Sequence, residues 1–553
     1  MRQVSIAAMA VAGLSILLLV EGRAQEPAGP ETDSLQAAAI AAGERIDGLL
    51  AEEVFSSPTQ GTSEPAPLTS DQVFLRRLTL DLAGRLPTPG EVTAFALDPS
   101  ADKRWRAAER LLADEAFGRN WARYWRDVIF YRRSNEQALL AARTVEDYLS
   151  DEFNSGAGWD EIARSFVEAT GDVREQGSTG LIMAQMAETA EVASETSRIF
   201  LGVQIQCAQC HDHPTDRWKR QQFHELAAFF PRVALRPVRD GMMRTFEVAS
   251  RDRGGPGRRP GNRRGALEHH MPDLADPSAR GTLMTPTFFL TGAQLETGTS
   301  DLDRRTTLAD WMTAESNPWF ARAFVNRIWA ELVGEGFYEP IDDLGPDRSC
   351  SAPATMEFLS SEFIASGYNV KWLFAAITAS EAYQRESRPR RNPDETPFLA
   401  NRTQPLRSDQ VFDVLTTALG VNPEGQRRGR MAGGYGRGGP RGQFAATFGY
   451  DPSDPRDEVA ASIPQALLLM NSRMIAGAIN AGNPRGMLGR VLQTTSDNEQ
   501  VVLELYLRCL AREPSNEELA ACLVHVRTAP DRGEAFEDIL WALLNRTEFV
   551  LRH

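Results

Sequence analysis

The sequence predicts a mainly α fold: two helical domains joined by a short β-containing, Gly/Arg-rich connector. Three observations predict it. Apolar residues recur at three- and four-residue spacing over most of the chain. Helix-start signatures precede several of those runs. Two tracts rich in Gly, Arg and Pro interrupt the pattern, and strand-like segments flank the first. The resulting division is a leader at 1–24, an N-terminal helical domain at 45–235, a connector at 236–300 and a C-terminal helical domain at 301–553, with a Gly/Arg-rich insertion near 425–443.

The leader comes first. Arg2 precedes an apolar run from Val4 to Val20, and Gly22-Arg23-Ala24 places small residues where a signal peptidase inspects them. The pattern reads as an export signal peptide cut after Ala24. An uncleaved anchor is the other reading, because the run is close to the shortest that spans a bilayer; the chain would then carry a membrane tether. Both readings put the remainder outside the cytoplasm, in a periplasmic setting where c-type haem is attached and disulfides persist. The chain has 553 residues, enough for two or three cores. Its formal charge of −15 argues against a nucleic-acid partner. Five cysteines are too few for a disulfide scaffold of this size.

Along the N-terminal domain, Thr69-Ser70-Asp71 opens a helix that Gly84 stops, and Thr88-Pro89-Gly90-Glu91 is a capping box opening the next. Residues 103 to 131 continue the helical pattern, with Leu111, Leu112, Trp121, Tyr124, Trp125, Ile129 and Phe130 as an aromatic-rich face, a core face rather than a cofactor cage. Further helices are expected at 143–154, 159–169, 186–203 and 223–230. In the connector, Arg244–Val248 and Thr285–Leu290 read as short strands on either side of a tract, Arg251 to Pro260, that cannot build a core. From Thr306 the helical pattern resumes. Phe320, Phe324, Ile328 and Leu332 form one stripe after the Asn317-Pro318 start, and helices follow at 356–364, 370–379, 409–419, 463–479 and 500–512. Ser515-Asn516-Glu517-Glu518 is a further capping box, and the last helix is expected over 536–551.

The most specific chemistry lies in Cys207-Ala208-Gln209-Cys210-His211, followed by Asp212, His213 and Pro214. C-x-x-C-H is the spacing that attaches haem c: two thiols add to the porphyrin vinyl groups and the adjoining imidazole reaches the iron. In that reading Cys207 and Cys210 are the thioether residues and His211 is the proximal ligand. His213 is too close in sequence to reach the opposite face. His224 is the nearest second-ligand candidate, and Met242, Met243 and Met271 also qualify. Two other readings stay open. Cys207, Cys210, His213 and His224 carry the donor types of a tetrahedral Zn site. Alternatively, Cys207 and Cys210 form a small disulfide with the histidines as hydrogen-bonding groups. No βαβ pattern surrounds the motif, which argues against a thioredoxin-like role.

Other residues carry weaker signals. Asp342 and Asp343 are adjacent and point apart on a regular element, so a turn or cap role is expected rather than acid/base pairing. Asn326, Arg327 and Trp329 read as a buried polar anchor between helices. Cys509 and Cys522 flank the Pro514 turn, where pairing depends on a distance that sequence does not give, and Cys350 is the odd one out.

Arg198-Ile-Phe-Leu-Gly202, Cys207 to Pro214 and Leu226-Ala-Ala-Phe-Phe230 resemble the first of two paired bacterial domains of unknown function, numbered fifteen-forty-nine and abundant in planctomycetes. Thr307-Leu-Ala-Asp-Trp311, Asn317-Pro318, Val325-Asn-Arg-Ile-Trp329, Asp342-Asp343, Val370-Lys-Trp372 and Leu540 to Asn545 with Glu548-Phe549 resemble the second, numbered fifteen-fifty-three. The resemblance spans about residues 45 to 553 and implies an association with cytochrome c chemistry without assigning an activity. Many relatives carry a further cytochrome c domain near the N-terminus that this sequence lacks, so one haem is expected, not a multi-haem conduit. The functional expectation is an exported c-type cytochrome-like protein in extracytoplasmic electron transfer with a redox partner protein. The alternative is a non-haem extracytoplasmic binding or assembly protein braced by its Cys/His cluster.

Overall fold

A computed structural model describes residues 30–56, 64–240, 243–252, 267–276, 278–390, 395–421, 439–455 and 462–553. The leader at 1–24, the middle of the first Gly/Arg tract and most of the second lie outside the described residues, as do Met242 and the side chain of Met243. The chain is mainly helical, with two helical regions and a strand-containing linker between them. Among the described residues no helix is long and apolar enough to cross a membrane.

Local chemistry sets most of the helix starts. In Asp71–Ala83 the Ser70 hydroxyl accepts from the Val73 N–H, and Gly84, at φ +68°, closes the helix in the left-handed region. The Thr88 capping box is complete: the Glu91 N–H donates to Thr88 Oγ1 at 3.2 Å, and the Thr88 N–H donates to Glu91 Oε2 at 2.8 Å. The Ser515 box forms in the same way with Glu518.

Several expected helices are divided or shifted. The 103–131 segment forms two helices, Lys103–Ala113 and Glu115–Phe130, because Asp114 takes an extended backbone and its carboxylate accepts from the Ala116 N–H. The helix expected from 186 begins at Thr189, since Met186 and Ala187 hold φ of +50° and +53°, which no right-handed helix admits. Residues 463–479 divide at Ser472 into Ile463–Asn471 and Arg473–Ala478. The last expected helix ends early at Leu544. A short turn, Thr547–Val550, and a strand, Leu551–Arg552, follow, and the strand pairs with Gln404–Pro405. Arg76 holds the segment beyond that ending: its guanidinium donates to the Leu551 and Glu548 carbonyls at 2.8 and 2.9 Å.

The connector contains an antiparallel hairpin, Val233–Asp240 against Met243–Ser250, with Gly171–Asp172 on the far edge of the second strand. The second strand contains the expected Arg244–Val248. The first carries Pro237, which lacks an N–H and hides the strand from a sequence scan, yet is tolerated here because this strand is an edge. Of Thr285–Leu290, only Thr287–Phe288 is strand, paired with Ala293–Gln294.

One apolar core gathers residues from Ala39 to Phe398 together with Leu507 and Ala511 and draws on both helical regions. Its centre is aromatic. Trp125 of Glu115–Phe130 stacks on Phe324 of Pro318–Val333 at 5.6 Å with 4° between the planes, and Phe324 stacks in turn on Phe363. A second core gathers residues 406–549 with Leu80 and Leu86. The aromatic face of 115–130 is therefore core, as its helical spacing implies.

Candidate functional site

Helix Thr189–Leu201 stops at Gly202, whose φ of +63° turns the chain sharply. A 3-10 turn, Ile205–Gln209, follows at once and carries the Cys-His motif. In such a turn side chains three residues apart eclipse one another. Ile205 and Ala208 share the inward side and are fully buried. Cys207 and Cys210, offset by two residues from that pair and three apart from each other, are both exposed. The apolar pair thus roots the turn in the core and leaves two thiols on its outer side.

His211 follows on the surface. Its Nδ1 lies 2.6 Å from the Asp212 carbonyl oxygen. A carbonyl only accepts, so Nδ1 carries the proton and Nε2 keeps its lone pair, the arrangement in which an imidazole ligates a metal. Asp212 is fixed in turn: its carboxylate accepts from the Arg220 N–H at 3.0 Å and from Lys219 Nζ at 3.1 Å, capping helix Arg220–Ala227. Those two donors hold the Asp212 carboxyl below its usual range. The His213 N–H donates to the Trp218 carbonyl at 2.8 Å, closing the loop over Trp218, which packs edge-on against Phe289 and Trp319.

His224, expected as the second axial ligand, has another task. It is buried on helix Arg220–Ala227, with Nε2 3.1 Å from the Gln209 carbonyl and Nδ1 2.9 Å from His269 Nε2. Both ring nitrogens are engaged, one of them with the peptide between the two cysteines. Burial pushes the His224 imidazole down to about 4 and that of His269 to about 3. Both rings are neutral at physiological pH. Arg220, one helical turn before His224, donates Nε to the same Gln209 oxygen at 3.3 Å and Nη2 to the Pro272 carbonyl at 2.6 Å.

The far side of the loop rests on the C-terminal region. Arg348 donates to Thr215 Oγ1 at 3.1 Å while pairing with Asp343 at 2.6 Å; Arg217 pairs with Asp347 at 2.7 Å; the Leu344 N–H donates to the Gly202 carbonyl at 2.8 Å. Just before this clamp, Asp342 is buried between two arginines. It pairs with Arg198 of Thr189–Leu201 at 2.8 Å and with Arg327 of Pro318–Val333. Arg198 also meets Glu195 at 2.6 Å and donates to Ser453 Oγ at 2.7 Å, while Arg327 donates to Tyr124 Oη at 3.2 Å. Asp342 lies in the turn expected of it, closed by the Asp343 N–H donating to the Pro340 carbonyl at 3.0 Å, and serves there as an ion-pair hub as well. Asn326 is the anchor its position implies, donating to the Tyr338 and Ile341 carbonyls and accepting from the Tyr338 N–H.

Cys207, Cys210 and His211 are the residues that could hold a cofactor here: two exposed thiols and one imidazole whose Nδ1 is held by a carbonyl. The four-ligand Zn arrangement is not assembled, because His224 faces the Gln209 carbonyl. Among the described residues no three His, Cys, Asp or Glu side chains gather to hold a metal ion. All five cysteines, including Cys509 and Cys522, are free thiols in the structure. Sequence reasoning missed His269, Arg220, Arg348 and the hub role of Asp342. Of these, only Arg220 carries a sequence signal, its i, i+4 spacing to His224. A cavity of about 280 Å³ elsewhere is lined by Met487, Arg490, Thr494, Gln500, Glu504 and Arg508, on helices that contribute nothing to the motif.

Residues 46–234 match the family model described as Protein of unknown function (DUF1549), and residues 304–431 match the one described as Protein of unknown function (DUF1553). No curated protein and no solved structure matches the chain.

Proposed function

Starting from a chain that carries the DUF1549 and DUF1553 domains in tandem, we propose that it is an exported c-type cytochrome-like protein that binds one haem and exchanges electrons with a redox partner protein outside the cytoplasm. One observation carries the reading: the turn from Cys207 to His211 presents two thiols on its outer side and an imidazole whose Nδ1 is held by the Asp212 carbonyl. The apolar run at Val4–Val20 supports export to a compartment where this attachment occurs.

When bound, haem would be held by Cys207, Cys210 and His211 and would supply one-electron iron chemistry. The chain supplies the rest. Cys207 and Cys210 would hold the group by thioether bonds, each formed by adding S–H across a vinyl double bond with no net oxidation. His211 offers its Nε2 lone pair, and the Asp212 carbonyl fixes the tautomer. Of the sequence candidates for the opposite face, His224 is turned inward. Met271 lies in strand His270–Met271, next to the Pro272 carbonyl that Arg220 grips.

Expression with a cytochrome c maturation system and a pyridine haemochrome spectrum of the denatured chain test the proposal. One covalent haem per chain, reduced to single attachment in Cys207→Ser and in Cys210→Ser, is expected. A wild-type chain without covalent haem overturns it, and about one equivalent of Zn in that chain would move the assignment to a structural metal site.

A further inference from the structure

The Gln209 carbonyl, the peptide oxygen inside the Cys207–Cys210 loop, receives two donors from one helix face, Arg220 Nε at 3.3 Å and His224 Nε2 at 3.1 Å. The helical repeat places residues four apart on one side, so Arg220 and His224 fit both lone pairs of a single oxygen. Because that carbonyl can only accept, the His224 proton sits on Nε2 and its Nδ1 is left as an acceptor. His269 Nε2, 2.9 Å away, must then be the donor. The two rings lie nearly parallel, 24° apart at 5.1 Å, and His224 meets the edge of Phe223. His269 adjoins strand His270–Met271, so the connector contributes to the back of the motif.

We infer that His224 and His269 are positioning residues for the thiol chemistry at Cys207 and Cys210, holding the Gln209 peptide so that both sulfurs stay on the outer side of the turn. The inference rests on the reading of these cysteines as the reactive groups. Neither histidine touches the sulfurs; the relay passes from His269 through His224 to the peptide between them. A buried apolar residue would pack beside Phe223 and Leu226 without the cost of taking an imidazole out of water. A histidine at this place is explained by the carbonyl it serves. Loss of His224 leaves Arg220 as the remaining donor of the pair, bonded at the longer distance and tied to Pro272 as well.

The test compares His224→Ala, His224→Gln and His269→Ala with the wild-type full chain in two measurements. The first is the rate of alkylation of Cys207 and Cys210 by iodoacetamide in haem-free protein, read for each cysteine by mass spectrometry. The second is haem attachment, with the pyridine haemochrome α-band position reporting whether one or both vinyl groups are saturated. We expect His224→Ala to change the ratio of the two alkylation rates about five- to tenfold and to shift attachment toward the singly linked product. His269→Ala should move both readouts less. His224→Gln keeps an N–H that reaches the carbonyl and should recover most of the wild-type behaviour. If wild-type protein takes no haem, the functional proposal fails while the alkylation ratio still judges the positioning role. Rates within twofold of wild type in folded His224→Ala overturn the inference; if that variant does not fold, the same result in His269→Ala overturns it.

Discussion

Asp342 lies 2.8 Å from Arg198, a buried ion pair joining the helix that delivers the Cys-His turn to the loop that clamps it from the C-terminal region. Arg327 completes the hub from a second helix. Replacing Asp342 by Ala leaves two guanidinium groups facing each other with one carboxylate fewer in a buried setting. We expect a loss of about 3–5 kcal/mol of unfolding free energy, measured by denaturant titration, because an uncompensated buried charge costs more than the pair contributes. Asp342→Asn keeps the shape but turns one of the two accepting oxygens into an NH2 donor facing a guanidinium, so it should lose a comparable amount; a much smaller loss than in Asp342→Ala would assign the effect to packing.

The stack of Trp125 on Phe324 makes a second prediction. These rings come from helices on opposite sides of the connector and share one core. Phe324→Ala should cost about 3–5 kcal/mol. It should do so in one cooperative transition, with fluorescence and circular dichroism coinciding. Two separated transitions in the wild-type chain would show that the helical regions fold independently and would refute a shared core.

Acid should loosen the motif through its histidines. In the folded chain burial lowers His224 to about 4 and His269 to about 3, whereas an unfolded imidazole titrates near 6.5. Between these values the unfolded chain binds protons that the folded chain refuses. Stability from the neutral pair is therefore complete above about pH 6.5 and falls as the pH drops toward 4, on the order of 3 kcal/mol for His224. Unfolding free energies measured at pH 7, 6, 5 and 4.5 should decline more steeply in wild type than in His224→Gln. Parallel curves would contradict the assignment.

Arg552 ties the tail to the first core. It pairs with Asp81 at 2.7 Å and donates to Asn401 Oδ1 at 2.7 Å. Arg552→Met removes a buried cation from beside Asp81 and should lower the thermal midpoint by several degrees, with the strand Leu551–Arg552 losing its hydrogen-exchange protection first. Unchanged protection in that strand would mean that its pairing with Gln404–Pro405 holds the tail unaided.

Much of the fold was legible because it is written in local chemistry. The Thr88 and Ser515 capping boxes, the Gly84 stop and the stripe from Phe320 to Leu332 formed where their spacing placed them, since caps and helical faces depend on residues within a turn of one another. The strand holding Pro237 was hidden because its tolerance depends on lying at an edge, which only the sheet order reveals. The course of the tail beyond the last helix was hidden for a comparable reason: Arg76, more than four hundred residues away, donates to the Glu548 and Leu551 carbonyls and holds that segment.

The sequence by itself determined the Cys207–Cys210–His211 spacing, the apolar run from Val4 to Val20 and the mainly helical character of the chain. It placed the thiols together because only two residues, Ala208 and Gln209, separate them in one short turn. Only the tertiary structure decided the surroundings of that turn. His224 became a buried donor to Gln209 because the helix Arg220–Ala227 packs with that face against the motif, and His269 reached it because the connector folds back there. Asp342 became an ion-pair hub because two arginines from distant helices converge on it. Hydrogen bonds and ion pairs between residues far apart in the chain have no period or spacing to betray them; packing brings their partners together.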